Sequence, residues 1–225
     1  LTGGSASSGR LALDSFGSAW GWRCGPGAWD QLMKTAARGE PIELEHQAGN
    51  PRWQELEGLP SPSAGGSRLS VGVERSDHCR WHPPGLWVGM GCERGTSLAL
   101  LQRTLQQGLA AAGLAMEAVA GLATADRKAD EQALLQLAAQ HGWPLRCFSS
   151  AALNAVPVPN PSAVVEAELG TASVAEAAAL LAAGPQAKLR TQKRIERARG
   201  GEQGAATAAI AQAASQWAPQ RGCLH

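Results

Sequence analysis

Two stretches of this 225-residue sequence carry the residue types that chemistry needs. In "GMGCERGTS", residues 89–97, glycines, a thiol, a charged pair and two hydroxyls stand where an apolar run, "LWV", gives way to a leucine-rich one. Glycines at a strand end let backbone approach a ligand, and free N–H groups at a helix start favour an anion. Gly89, Gly91 and Gly95 therefore qualify as backbone contacts, Arg94 as an anion partner, and Thr96 or Ser97 as the helix cap. The stretch is not a Walker loop, because no Gly-Lys-Ser/Thr follows, and it departs from GxGxxG by one residue. A helix start also lowers a nearby thiol pKa, which makes Cys92 a candidate thiolate. An ordinary strand–helix turn around a small buried thiol fits the same pattern.

The second stretch is "GLATADRKADE", where Asp126, Arg127, Lys128, Asp130 and Glu131 crowd together after an apolar run. A carboxylate beside a lysine can serve as general acid or base, so Lys128 with Asp130 or Glu131 is the candidate pair. A charged loop leading into a helix with an acidic first turn fits as well. Further along, "VPVPNPS" is stiffened by three prolines, and Asn160 and Ser162 either face a site or cap a helix. "KLRTQKRIERAR" is strongly basic, suited to gripping a polycarboxylate or to lying solvated in a hairpin. The five histidines show no metal-ligand spacing, "DHCRWH" being the nearest approach, and no protein metal site is expected.

These segments need elements to position them. From Leu86 onward the sequence alternates strand and helix. "LWVGMG", "AVAGLAT" and "WPLRCFS" are short apolar runs. Leu98, Leu101, Leu105 and Leu109 step at helical spacing through 97–112, and "DEQALLQLAAQHG" is a second helix with Gly142 beyond its end. "SSAALNAV" opens with a hydroxyl cap, "NPSAVVEAELG" and "SVAEAAALLAAG" are short helices, and "KLRTQKR" and "AATAAIAQ" form a hairpin joined by "IERARGGEQG". The fold class predicted is α/β, a mainly parallel sheet flanked by helices, with ligands at the carboxyl ends of the strands. A smaller α+β region precedes it, with a helix over Ala28–Ala37 and a half-buried strand in which Ile42, Leu44 and His46 alternate with glutamates. The divisions expected are residues 1–60, a small first region; 61–85, Gly/Pro/Ser-rich linker and irregular chain; 86–212, the α/β domain; and 213–225, a tail.

Composition narrows the function further. A net charge of +1 gives no bulk attraction to nucleic acid or an anionic membrane, and no apolar stretch approaches the roughly 20 residues of a membrane span. Five cysteines without a CxxC pair argue against a disulfide framework and for a reducing, cytoplasmic setting. The chain begins at leucine, as a fragment or a processed product would. Tryptophan appears eight times, six of them before residue 90, while tyrosine is absent.

The order of "VGMGCERGTS", "GLATADRKADE", "PLRCFS", "VPVPNPS", "LGTASVAEAAALLAAG" and "TAAIAQ" resembles the C-terminal domain of the CbiG/CobE cobalamin-biosynthesis family over residues 85–212. "ALDSFGSAWGWR" and "ARGEPIELEHQAG" look like the short central region of CbiG proteins, which CobE proteins lack. The family's amino-terminal domain has no counterpart here, and Glu93 stands where many relatives carry a basic residue. The resemblance implies cobalt-precorrin-5A hydrolase activity, opening the ring A lactone of a corrinoid intermediate with release of acetaldehyde. Cobalt then arrives within the substrate and no cofactor is required. It implies that residues 91–97 with Arg94 hold a corrinoid carboxylate, with Gly89, Asp126, Asn160 and Ser162 as further contacts, and that Lys193 closes over propionates. Lys128 with Asp130 or Glu131 supplies the acid–base chemistry. Two alternatives stay open: a non-catalytic, CobE-like corrinoid carrier, or part of a fusion with a precorrin methyltransferase. Other cobalamin-pathway enzymes are the expected partners.

Overall fold

Short apolar strands and amphipathic helices assemble here into two sheets joined along one seam. The computed structural model describes residues 11–62, 65–159 and 174–215. The first sheet has the order β1-β4-β3-β2, from β1 (Arg23–Cys24), β2 (Ile42–His46), β3 (Ser67–Val71) and β4 (Cys79–His82). β2, β3 and β4 run parallel, and β1 lies antiparallel on β4. Helix α1 (Trp29–Ala37) packs on β3.

The excess of tryptophan finds its reason in this unit. Trp22, Trp53 and Trp81 are buried with Phe16, and Trp20 and Trp29 pack against them. The Phe16 ring sits 5.6–6.2 Å from three of these indoles. The two deepest indoles keep their N–H groups satisfied, Trp81 Nε1 donating to Leu13 O (2.9 Å) and Trp53 Nε1 to His46 Nδ1 (3.0 Å). Large aromatic side chains fill a core that so small a sheet could not close with aliphatic ones.

Within residues 61–85, where "LSVGVER" reads as a strand and "SDHCRWHPPG" as irregular chain, the structure supplies β3 and also β4. β4 buries Arg80 and His82 alongside Cys79 and Trp81, so no apolar–polar alternation marks it. Its polar groups are absorbed by partners. Arg80 Nε donates to Ser70 Oγ (2.7 Å), and His82 Nδ1 bonds Gly72 O (2.8 Å).

The second sheet has the order β7-β6-β5-β9-β8. β5 (Leu86–Cys92), β6 (Val119–Ala125) and β7 (Leu145–Phe148) are parallel, as their sequence predicts. The hairpin of β8 (Lys188–Arg197) and β9 (Ala205–Gln212) adds to the other edge of β5 with β9 antiparallel, so the sheet is mixed. Helices α2 (Leu98–Ala111) and α3 (Gln132–His141) cover one face, where Leu86, Val88 and Met90 meet Leu101, Leu105 and Leu134. On the other face α4 (Ser150–Asn154) and the alanine-rich α5 (Val174–Ala183) cover Trp87, Ala120 and Ala123. Ser97 and Ser149 cap α2 and α4, and Gly142 ends α3 at φ 63°. The helix expected over 160–170 lies outside the described residues.

The seam is built from backbone. Val73 O accepts from Ala115 N (2.9 Å), Arg75 N donates to Gly113 O (2.7 Å), and Gly85 N to Ala118 O (3.1 Å). Arg23 Nη1 reaches across to Glu117 O and Val119 O (3.0 and 2.7 Å), and Arg190 pairs with Glu74 at 2.8 Å.

Gly89 has a role that its place in a glycine-rich stretch disguises. A Cβ there would lie 1.9 Å from Ala175 O and 2.7 Å from Ala179 N, both backbone atoms of α5. Residue 89 is thus a packing glycine and not a ligand contact. Gly89→Ala should lower the urea midpoint by the equivalent of about 1–3 kcal/mol or more, because helix and strand must separate. Gly95→Ala, at φ 73° with no atom within 4 Å of its new methyl, should cost only about 1 kcal/mol. Equal effects in the two titrations would contradict this packing account.

A candidate site at the carboxyl ends of the parallel strands

β5, β6 and β7 end at the same edge of the sheet, which brings the 93–97 and 126–131 segments together. Glu131 stands at the N-cap of α3 with extended backbone. Its side chain, 6% exposed, crosses to the other loop, where Oε1 accepts from Gly95 N at 3.0 Å. Oε2 lies 3.8 Å from both Lys128 Nζ and Arg94 Nη1. That oxygen is buried and has no hydrogen-bond partner among the described residues. Lys128 is 16% exposed.

Arg94 ties the loops from outside. Its Nη1 donates to Asp130 Oδ1 (2.7 Å) and its Nη2 to Arg127 O (2.8 Å). The bond from Arg94 holds the Asp130 carboxyl below its usual range, so Asp130 stays ionised and occupied. Of the two carboxylates expected beside Lys128, Glu131 has the open oxygen and Asp130 positions Arg94. Cys92, at the end of β5, is pushed up to about 11 by burial, with Lys128 pulling down against it and Glu131 pushing up. The helix start is therefore outweighed by desolvation, and the thiol is protonated at neutral pH.

The hairpin closes one side. Ala206 of β9 pairs with Cys92, and Thr207 Oγ1 donates to Gly91 O (3.3 Å). Gly204 lies so close that a Cβ on it would be 3.1 Å from Glu93 Oε2 and 3.2 Å from Thr96 Oγ1. Arg103 of α2 anchors the turn through Glu202, at 2.8 and 3.2 Å, and through Arg197 O at 3.3 Å. Arg103 and Glu202 were missed by sequence reasoning, since a pair 99 residues apart leaves no local pattern.

The structure thus joins Arg94, Gly95, Lys128, Asp130 and Glu131. Thr96 turns inward to bond Glu93 O (2.8 Å), and Ser97 is spent on the helix cap. Asp126 is exposed and accepts from Arg127 N (2.7 Å). Lys193 falls in a bulge of β8 between Thr191 and Arg194, opposite the middle of β9, with its N–H donating to Glu176 (2.9 Å). That position is well short of the strand ends where the cluster sits. Asn160 and Ser162 lie outside the described residues. Among the described residues no three metal-ligating side chains gather, and no helix is long and apolar enough to cross a membrane.

Comparison with known proteins gives this geometry a context. Residues 86–211 match the family model "Cobalamin synthesis G C-terminus". The chain is 27% identical over 202 residues to a cobalt-precorrin-5A hydrolase of Priestia megaterium, covering 77% of this chain and 53% of that protein. It is 38% identical over 111 residues to Protein CobE of a Sinorhizobium species, covering 48% of this chain and 72% of that one. A crystal structure of CobE, from the cobalamin (vitamin B12) biosynthetic pathway, matches with a TM-score of 0.51 at 34% identity, over 58% of this chain and 94% of that one. The chain spans about half the length of the hydrolase it matches.

The turn that walls the site carries a pH signature. The bonds from Arg103 and Arg199 N hold Glu202 down to about 2, against an ordinary 4.5. A depressed carboxyl contributes stability that is complete above the unfolded value and lost as pH falls through the folded one. Glu202→Gln should therefore lower the urea midpoint at neutral pH, with the gap to the parent chain narrowing between about pH 5 and about pH 2. A gap that stays constant over that range would remove Glu202 from this role.

Proposed function

Because the chain belongs to the cobalamin synthesis G C-terminus family, we propose that it acts on a corrinoid intermediate as a hydrolase of the cobalt-precorrin-5A type. The observation that carries this reading is the buried Glu131 carboxylate, whose unbonded Oε2 faces Lys128 and Arg94 at the strand ends. Lactone opening needs a base to activate water, donors for the tetrahedral oxyanion, and an acid for the later carbon–carbon cleavage that releases acetaldehyde. In this scheme Glu131 is the base that takes a proton from water. Lys128, a short step away, is the group to return it. Arg94 and the neighbouring backbone N–H groups suit either the oxyanion or a rim carboxylate of the macrocycle. Cobalt belongs to the substrate in this scheme.

The hydrolase reading is favoured over a carrier by extent. The match to the Priestia megaterium enzyme covers 77% of this chain, and so runs beyond the family-model span, whereas the matches to CobE cover 48% and 58%. A CobE-like binding module without turnover remains the second reading, favoured by the better identity to CobE and by the 94% of its structure that is matched.

Acetaldehyde release from cobalt-precorrin-5A separates the two. The hydrolase reading expects turnover by the parent chain and a loss of at least about 100-fold in Lys128→Ala and in Glu131→Gln, with corrinoid binding retained. Unchanged release in both variants would sink the catalytic assignment. Binding without release in the parent chain would establish the carrier reading, and failure to bind any corrinoid would remove both.

A further inference from the structure

A second site lies at the opposite end of α2, where the two units meet. A cleft of 460 Å³ opens there, within the range of small-ligand clefts, about 300–1,000 Å³. Leu109, Leu114 and Met116 give it an apolar lining, and Arg75, Gln106, Glu117 and the buried His82 a polar one. α2 has fourteen residues, so the cleft is about 20 Å from the Lys128–Glu131 cluster along the helix axis. It shares no residue with that cluster.

The polar side chains of the cleft keep unbonded donor and acceptor atoms among the described residues, and the Glu117 charge also acts on Arg23. His82 is 1% exposed, and its Nδ1 faces a carbonyl, Gly72 O at 2.8 Å, so Nδ1 must carry the proton. Burial lowers its pKa, which leaves the ring neutral and Nε2 a fixed acceptor. No hydrogen bond to Nε2 occurs among the described residues. A Cβ at residue 25 would sit 2.5 Å from that nitrogen, so any side chain there would cover it. Glu117 lies close enough for its charge to act on the His82 ring, and its carboxylate takes no hydrogen bond among the described residues. Arg75 and Gln106 make no side-chain hydrogen bond or ion pair among the described residues, and the Arg75 main chain is fixed by its N–H bond to Gly113 O. The acceptors are thus His82 Nε2 and Glu117, the donors Arg75 and Gln106, beside an apolar lining.

From this juxtaposition we infer that the cleft is a binding site for a small zwitterion of the aliphatic amino-acid class. The ammonium group is received by Glu117 and His82 Nε2, the carboxylate by Arg75 and Gln106, and the side chain by Leu109, Leu114 and Met116. Acceptors alone would select an amine and the guanidinium alone a simple acid. Both sets around one apolar lining select a molecule with both charges. The inference is independent of the corrinoid reading.

The test is titration of the full chain with L-leucine, 4-methylpentanoate and 3-methylbutylamine, which share the apolar body and differ in the charged groups. Leucine should bind at least about tenfold more tightly than either analogue, and Glu117→Gln and Arg75→Met should each weaken it at least about tenfold at unchanged thermal midpoint. In the parent chain, leucine should shift the NMR methyl signals of Leu114 and Ala115 and leave those of Leu98 unmoved, a readout that stands if a variant fails to fold. No leucine binding at about 10 mM, equal binding of all three probes, shifts at Leu98 alone, or indifference to both substitutions would each overturn the assignment.

Discussion

One close approach organises the second unit: the backbone of α5 rests on the backbone of β5 at Gly89. Contact at that range admits only small residues, and the facing surfaces supply them. α5 buries Ala175, Ala177, Ala178, Ala179 and Ala182, and the neighbouring strands bring Ala120, Ala123, Ala209 and Ala211. The opposite face is thick, filled by the leucines of α2 and α3 against Leu86, Val88 and Met90. β5 is buried between these unequal layers, paired with β6 over Leu86–Gly89 and with β9 as far as Cys92, so β9 holds its last residues in place. The loop that follows inherits that rigidity, which is what a site built on it requires.

The charge arrangement at those strand ends is not explained by stability. Removing a carboxylate from water costs several kcal/mol unless its oxygens are satisfied, and Glu131 leaves Oε2 unbonded between two cations at 3.8 Å. Arg94 holds the loops through Asp130 and Arg127 O, while Glu131 Oε2 has no hydrogen-bond partner among the described residues. The same helix that starts at this cluster ends at the cleft beside His82, and each end couples polar groups to the seam or the strand edge that shapes it.

Much of the second unit was legible because its elements are local. Leucines at steps of three and four mark α2, Gly142 marks the end of α3, and apolar runs mark β5 to β7. The neighbourhood of Arg94 with Lys128, Asp130 and Glu131 was legible too, since parallel strands put successive loops on one edge. What escaped depends on distant partners. β4 hides because Ser70 and Gly72 O, from another strand and its exit, satisfy Arg80 and His82. The antiparallel entry of β9 beside β5 is set by a pairing more than a hundred residues long. Of the two readings of Cys92, the structure supports the buried small thiol, because desolvation outweighs the helix start. Gly89 looked like part of a ligand loop and proved to be the seat of a helix that begins 85 residues later.

The place of β9 has a consequence for how the chain comes to be folded. Among the described residues it is the last strand in order, yet it lies between β5 and β8 and forms one whole edge of β5. Until Ala205–Gln212 has been synthesised, β5 presents an apolar edge with its hydrogen-bonding groups unpaired. Such an edge is a template for other chains. Loop-closure entropy over that separation must be met before the pairing contributes, which makes this a sheet of high contact order and slow completion. A chain that stops short of residue 205 leaves that edge of β5 unpaired, and the closing of the hairpin covers it.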